Sequence, residues 1–153
     1  MFQGGAGVCA AVAAETQFLR GEQPTGPKTR VSLDPLLERR LLQQHELRDD
    51  EERALYVELA ADLDDGEAMT LAIAHQRGAA VATDDRKARR IANQRFGANF
   101  PLLRTTGIMH DWVRLEMLER EAVRAVLGRI QTVAQFRPPN DDPLREWWVT
   151  AVT

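Results

Sequence analysis

Three acidic residues stand where carboxylates from neighbouring elements can share one cation. Asp84 and Asp85 directly follow the short apolar segment Ala79–Thr83, and Glu67 lies about one helix and one strand earlier in the chain. Carboxylate oxygens are the ligands that hard cations such as Mg²⁺ and Mn²⁺ prefer. A cation held there lowers the pKa of a bound water and stabilises charge that develops on a phosphate. These residue types therefore raise the hypothesis of a metal-dependent hydrolytic site.

The elements that carry these acids are expected to bring them to one edge of a sheet. Ala79–Thr83 is an uninterrupted apolar run, which is typical of a strand buried on both faces. A helix that opens at Gly66 and closes at Gly78 precedes this strand, so the helix starts beside the strand's carboxyl end. Alternating helices and strands indicate a parallel sheet covered by helices, whose ligand site lies at the carboxyl ends of the strands. We therefore expect an α/β fold in which the three acids meet at this edge.

The remaining segments predict one domain over residues 1–137 and a C-terminal tail with a short helix over residues 138–153. Helices are expected over 8–20, from 34, and over 49–62, 66–77, 86–95, 108–118, 121–134 and from 142, with strands over 42–47, 79–83 and 101–106. Trp147 and Trp148 on the tail helix are interpreted as packing or self-association residues.

The same acids also have an ordinary structural interpretation. Asp64-x-x-Glu67 matches a capping box, and Thr83 or Asp84 suits the N-cap of a helix that starts at Arg86. Acidic residues are common at helix starts because they stabilise the helix dipole. The sequence leaves the capping interpretation and the metal-site interpretation both open.

A basic helix follows the acids directly, with cationic side chains at Arg86, Lys87, Arg89, Arg90 and Arg95. Such a helix beside carboxylates is able to position a phosphate backbone, and the alternative is a solvated helix face. The candidate substrate contacts are Thr83, Arg86, Lys87 and Arg90. Thr105 and Thr106, at the end of the second predicted strand, either contact phosphate or cap the next helix.

Composition narrows the possible functions. Cys9 is the only cysteine, which excludes an intrachain disulfide, disfavours a thiolate zinc site and fits a reducing cytoplasm. The net charge of −3 shows no overall basic excess of the kind that marks many nucleic-acid binders. His45, His75 and His110 lack ligand spacing, so structural or surface roles are expected. No run of about 18 apolar residues is present, so no membrane association is expected.

Two blocks of the sequence resemble the PIN-domain family. They are Leu63–Ala74 (LDDGEAMTLAIA) and Gly78–Arg90 (GAAVATDDRKARR), and they are similar to the family branch with the pattern GEA…LA…G…TDD.KAR. That branch includes the ribonuclease toxins of toxin–antitoxin pairs, and the similarity extends over residues 55–118. The resemblance implies a three-layer α/β/α parallel sheet and RNA cleavage by a water that Mg²⁺ or Mn²⁺ activates.

The resemblance also implies roles for individual residues. Among the family's four acids, Glu67 matches the third and Asp85 the fourth, with Asp84 as neighbour or alternate metal ligand. Glu15 resembles the acid of the early helix and joins the other three in the catalytic set. Thr83 matches the small hydroxyl residue found just before the acids.

The family's first acid has no counterpart before Glu15, because no apolar segment that ends in aspartate precedes it. The chain is therefore expected to lack the family's usual first strand, either because it starts downstream of the true start or because it is a degenerate member. Fewer acids imply weaker metal affinity, since less negative charge offsets the desolvation of the ion.

These observations leave hypotheses of different classes. The first is a metal-dependent ribonuclease in the cytoplasm, with RNA as substrate, an antitoxin protein as partner and a homodimer as assembly. The second is a catalytically inactive PIN-like module that binds RNA or a protein, and the third is a generic α/β regulator with acidic helix caps and no site.

Overall fold

The computed structural model describes residues 5–15, 17–20 and 28–153, and the chain divides into two units. The first unit comprises residues 1–16 and 32–103, and the second comprises residues 17–31 and 104–153. The first contains β1 (Ala6–Cys9), α1 (Ala10–Ala14), α2 (Asp34–Glu38), β4 (Leu42–His45), α3 (Asp50–Ala60), α4 (Asp65–Arg77), β5 (Val81–Ala82), α5 (Arg86–Phe96) and β6 (Leu102–Leu103). The second contains β2 (Gln17–Arg20), β3 (Lys28–Val31), α6 (Thr105–Leu115), α7 (Arg120–Val133) and α8 (Arg145–Val152).

The strands of the first unit pair in parallel. Strand β1 pairs with β4, from Ala6 opposite Leu42 to Cys9 opposite His45. Strand β5 pairs with β6, and each has only two residues. The predicted α/β class with parallel strands is thus confirmed, while the described strands form separate two-stranded ladders.

The segment around Glu15 differs from the single helix that we predicted over residues 8–20. It forms the strand β1, the five-residue helix α1 and the strand β2 instead. The alanines of the predicted helix do form α1, whereas Val8 and Cys9 pair with β4, and this tertiary pairing overrides the local helix prediction at its start. A strand therefore does precede Glu15, and it ends at the buried Cys9 rather than at an acidic residue.

Small side chains allow close packing around α4. Ala68 and Ala72 on α4 and Ala88 and Ala92 on α5 are at most 1% exposed, and they join a core that includes Leu59 of α3. Alanine has no side-chain entropy to lose and lets helices approach closely. Helix α4 ends at Gly78, whose positive φ of 64° is the left-handed conformation that glycine adopts without strain.

A buried ion pair joins the end of β4 to helices α3 and α4. The Glu52 carboxylate, 1% exposed, accepts hydrogen bonds from Arg77 Nε at 2.7 Å and Arg77 Nη2 at 2.9 Å. The backbone N–H of Arg48 donates to the same carboxylate at 2.7 Å, and Arg77 Nη2 also donates to the carbonyl of Glu46. The hydrogen bond from Arg77 lowers the pKa of Glu52 from 4.5 to about 2, even though burial acts in the opposite direction.

The second unit has its own core. Val123, Leu127 and Trp148 are buried, and the Trp148 ring meets Phe136 edge-on at 5.2 Å. Trp148 is thus a packing residue, and α8 packs against α7 within this unit. The predicted boundary between residues 137 and 138 stays a prediction. Within the described part of the chain, no helix has both the length and the apolar character needed to cross a lipid bilayer.

We expect Glu52→Gln to lower the free energy of unfolding by about 3 kcal/mol at neutral pH, because the largely buried guanidinium of Arg77 then loses its charged partner. The folded-state pKa of Glu52 lies below its unfolded value, so its contribution is complete above about pH 4.5 and is lost as the pH falls towards about 2. Urea unfolding of the wild-type protein and the variant at neutral pH measures the first effect, and the same measurement at several pH values from about 4.5 down to about 2 measures the second.

Glu58→Gln is the matched control, since Glu58 pairs with Arg95 while both side chains remain about half exposed. An exposed pair contributes less than about 1 kcal/mol, so this variant should unfold close to the wild type. Equal destabilisation by the two variants would contradict the stabilising role of the Glu52–Arg77 pair. Identical pH dependence of stability in Glu52→Gln and the wild type would contradict it as well.

Candidate functional site

Glu67 lies in the first turn of α4. The side chain of Asp64 caps this helix, because its Oδ1 accepts a hydrogen bond from the Glu67 N–H at 2.8 Å. This confirms the cap predicted from the Asp64-x-x-Glu67 spacing. The side chain of Glu67 is half-buried and lines a pocket, so capping and site formation occur at the same turn.

Asp85 caps α5, where Thr83 or Asp84 was expected. Asp85 Oδ1 accepts a hydrogen bond from the Ala88 N–H at 2.8 Å. Thr83 Oγ1 accepts one from the Asp85 N–H at 3.1 Å, which closes the turn before the helix. Strand β5 ends at Ala82, so Thr83 and Asp84 form the turn and the cap is Asp85.

The electrostatics of Glu67 show that several carboxylates lie around it. Burial is the main cause that raises the pKa of Glu67, and the charges of Asp85, Asp64 and Glu15 raise it further. Lys87 acts in the opposite direction. A positive charge in addition to that of Lys87 would reduce the repulsion among these acids, and a bound cation would supply such a charge.

Glu15 reaches the start of α4 because residue 66 is a glycine. A Cβ added at Gly66 would stand 2.6 Å from Glu15 Oε1 and 2.9 Å from Val12 Cγ2, too close for real atoms. Glu15 itself is exposed and follows α1 directly. The structure thus brings together Glu15, Glu67 and Asp85, which come from three different elements.

A pocket of about 120 Å³ opens at Glu67, the one of these three acids that lines it. Its polar lining consists of Glu67, Thr70 and Thr83, and its apolar lining includes Val12 and Val81. Thr83 was predicted as a substrate contact, and its position in the pocket is compatible with that role. The pocket is small, so it suits a hydrated ion or a single phosphate group better than a whole nucleotide.

The donor chemistry fits a hydrated divalent cation. Among the described residues, no group of three or more His, Cys, Asp and Glu side chains is arranged to hold a metal ion. Mg²⁺, however, usually keeps several waters and takes one or two carboxylates directly from the protein. Glu67 and Asp85 would supply those carboxylates, and the helix cap uses only one oxygen of Asp85.

The basic residues of α5 differ in their contacts and exposure. Arg86, Lys87 and Arg90 are exposed, as their predicted role as substrate contacts requires. Arg95 pairs with Glu58. Arg89 is half-buried, and its Nη1 donates to the carbonyls of Thr83 and Leu103, each at 3.0 Å. The sequence did not reveal this role, although Arg89 borders the buried positions Ala88 and Ala92 on the helix.

We predicted that Thr105 and Thr106 end a strand and then either contact phosphate or cap the next helix. The strand end is wrong, the N-cap is Arg104, and a phosphate contact of Thr106 is wrong as well. Strand β6 ends at Leu103, and Thr105 already begins α6. Thr106 is 1% exposed, and its hydroxyl donates to Asp142 Oδ2 at 2.8 Å. The Thr106 hydroxyl therefore belongs to the core of the second unit and is not accessible to a ligand.

The three histidines have structural contacts, as expected from their isolation in the sequence. His45 Nδ1 lies 3.3 Å from Arg77 Nη1, and the His75 ring stacks on Phe96 with centroids 4.1 Å apart. His110 meets the Trp147 ring edge-on at 4.9 Å. Cys9 is buried and accepts a hydrogen bond from Thr70.

Gly66→Ala should destabilise the protein, because the new methyl group collides with Val12 Cγ2, while the exposed carboxylate of Glu15 has room to turn away. Overpacking costs about 1–3 kcal/mol, of which better helix propensity returns at most about 1 kcal/mol. Gly128→Ala is the control, since a Cβ at Gly128 within α7 meets nothing within 4 Å. The control should gain up to about 1 kcal/mol. Urea unfolding of both variants gives the comparison, and equal stabilisation of both would show that Val12 does not approach α4 closely.

Comparison with known families identifies the chain. The family model DUF3368, described as a PIN domain, matches residues 6–141. No curated protein and no solved structure matches the chain. The matched range includes both parallel ladders and the acids Glu15, Glu67, Asp84 and Asp85. The chain belongs to the PIN-domain family.

Proposed function

We propose that this chain is a metal-dependent ribonuclease whose cation, Mg²⁺ or Mn²⁺, is held by Glu67 and Asp85, with Asp84 and Glu15 as further ligands or water-orienting groups. The observation that supports it best is the convergence of Glu15 and Asp85, from two other elements, on Glu67, which itself lines the pocket. Separate helix caps would not require this convergence. PIN domains generally use divalent metals, which agrees with an all-oxygen donor set.

The chemistry required is the hydrolysis of a phosphodiester. A bound divalent cation supplies a water of lowered pKa and neutralises charge on the phosphate. The half-buried Glu67 and the exposed Asp85 would hold it at the mouth of the pocket. The exposed cations Arg86, Lys87 and Arg90 follow Asp85 on α5, where they would attract the RNA backbone.

The resemblance to toxin ribonucleases supports a further part of the proposal, which is a cytoplasmic toxin with an antitoxin partner and a homodimeric assembly. Exposed apolar side chains at Leu115 and Met117, 75% and 86% exposed, are compatible with a protein contact in the second unit. Trp148 does not contribute to such a surface because it is buried.

The second candidate function is a catalytically inactive PIN-like module that binds RNA or a protein. One observation favours it, namely that the described carboxylates do not form a three-ligand metal site. The two candidates differ in whether metal binding leads to cleavage.

Metal binding and RNA cleavage test the proposal in the same variants. Calorimetric titration with Mn²⁺ and Mg²⁺ should show binding to the wild type, and Glu67→Gln and Asp85→Asn should each weaken it at least about 10-fold, because each removes a charged ligand. Cleavage of a fluorescent single-stranded RNA should fall with metal occupancy. Asparagine caps helices as well as aspartate does, so Asp85→Asn removes the charge and keeps the fold.

Glu51→Gln is the control, since Glu51 is an exposed acid in the first turn of α3. It should bind metal and cleave RNA like the wild type. Metal and RNA binding by the wild type without cleavage would support the inactive module. Absence of metal binding and of cleavage would refute the ribonuclease proposal for this chain.

A further inference from the structure

We propose that Arg89 is the positioning residue of the candidate site, because its guanidinium fastens the turn that carries Asp84 and Asp85 to the end of β6. The inference rests on the proposed function for its catalytic consequence. Its structural part concerns only the backbone of residues 83–85 and can be tested separately.

The contacts of Arg89 span the ends of both short strands. One nitrogen, Nη1, donates to the carbonyl of Thr83 and to the carbonyl of Leu103, at 3.0 Å in each case. The carbonyl of Leu103 also accepts from the Thr83 N–H at 3.1 Å. Arg89 thus binds the two backbones at the point where each strand ends and its chain turns towards the next helix.

The shortness of the strands explains why this additional clamp matters. Strands β5 and β6 have two residues each, and the hydrogen bonds that join their backbones include one from the Val81 N–H to the carbonyl of Pro101, just before β6, at 2.9 Å. So short a ladder places little constraint on the residues that follow it. A charge-assisted hydrogen bond is roughly twice as strong as a neutral one, so Arg89 restrains the strand ends strongly.

The restraint passes from Thr83 to the acids through short connections. Thr83 Oγ1 accepts from the Asp85 N–H, and Asp85 Oδ1 accepts from the Ala88 N–H. The next residue on α5 is Arg89, whose N–H donates to the Asp85 carbonyl at 3.1 Å. The turn is therefore held at the strand end, at the hydroxyl and at the helix cap. If Arg89 no longer bound the carbonyl of Thr83, this carbonyl could rotate, and the orientation of Asp84 and Asp85 would be less restricted.

This role separates Arg89 from its basic neighbours on α5. Arg86, Lys87 and Arg90 are exposed, whereas Arg89 is half-buried with its Nη1 bound to main-chain carbonyls. A substrate cation would change the apparent affinity for RNA when it is removed. A positioning residue would change mainly the rate of the bound complex, because it affects the geometry of the site.

The experiment compares Arg89→Met, Arg89→Lys and Arg95→Met, with folding checked by circular dichroism. In Arg89→Met, the amide protons of Thr83 and Asp85 should exchange faster with solvent, as measured by NMR. The kcat for RNA should fall about 10- to 100-fold, while KM stays within about 2-fold. Arg89→Lys retains one charged donor and should recover part of kcat. Arg95→Met removes an exposed pair on the same helix and should leave kcat and both amides unchanged.

Two results would overturn the inference. Unchanged exchange at Thr83 and Asp85 in a folded Arg89→Met protein would show that the clamp does not hold the turn, whether or not the chain is an enzyme. A raised KM with unchanged kcat would make Arg89 a substrate contact. If the wild type neither binds metal nor cleaves RNA, the proposed function fails, and the amide exchange alone decides the role of Arg89.

Discussion

The close packing of α4 against its neighbours is the constraint on which the first unit depends. Alanines on α4 and α5 let the helices approach closely, and Gly66 lets Glu15 and Val12 approach the start of α4. At the other end of α4, Arg77 forms the buried ion pair with Glu52. The helix is thus held at both ends, so the direction of its first turn is well defined. That direction decides where the carboxylate of Glu67 lies.

The carboxylates around the first turn of α4 repel one another, and this repulsion distinguishes Glu67 from the paired acid Glu52. Burial and the nearby charges of Asp85, Asp64 and Glu15 raise the pKa of Glu67 and so make its ionised form less favourable than in water. Glu52 is the opposite case, since Arg77 stabilises its charge and lowers its pKa to about 2. A carboxylate that pairs with an arginine stabilises the folded protein. A carboxylate near other carboxylates would instead be stabilised by a bound cation. The protein contains both arrangements within α3 and α4.

Local sequence signals predicted the elements that depend on local interactions. Asp64 as a helix cap and Gly78 as a helix end follow from neighbouring residues, and the structure confirms both. The strand β1, the buried Glu52–Arg77 pair and the contact of Thr106 with Asp142 were not predicted, because each joins residues far apart in sequence. For the candidate site, the acids could be predicted from strand order, but Arg89 could not. A charged residue gives no local sign that it binds carbonyls instead of solvent.

The capping and metal-site interpretations of the acids are compatible. Asp64 and Asp85 each use Oδ1 for a backbone N–H, and a carboxylate has a second oxygen with its own lone pairs. A cap fixes the side-chain torsions of the aspartate, so the second oxygen points in a constant direction. Such preorganisation lowers the entropy cost of binding an ion. Three contacts therefore act together: the helix cap at Asp85, the hydroxyl of Thr83 and the clamp of Arg89. Each restricts the motion of the turn before a cation binds, so that binding would cost less conformational entropy.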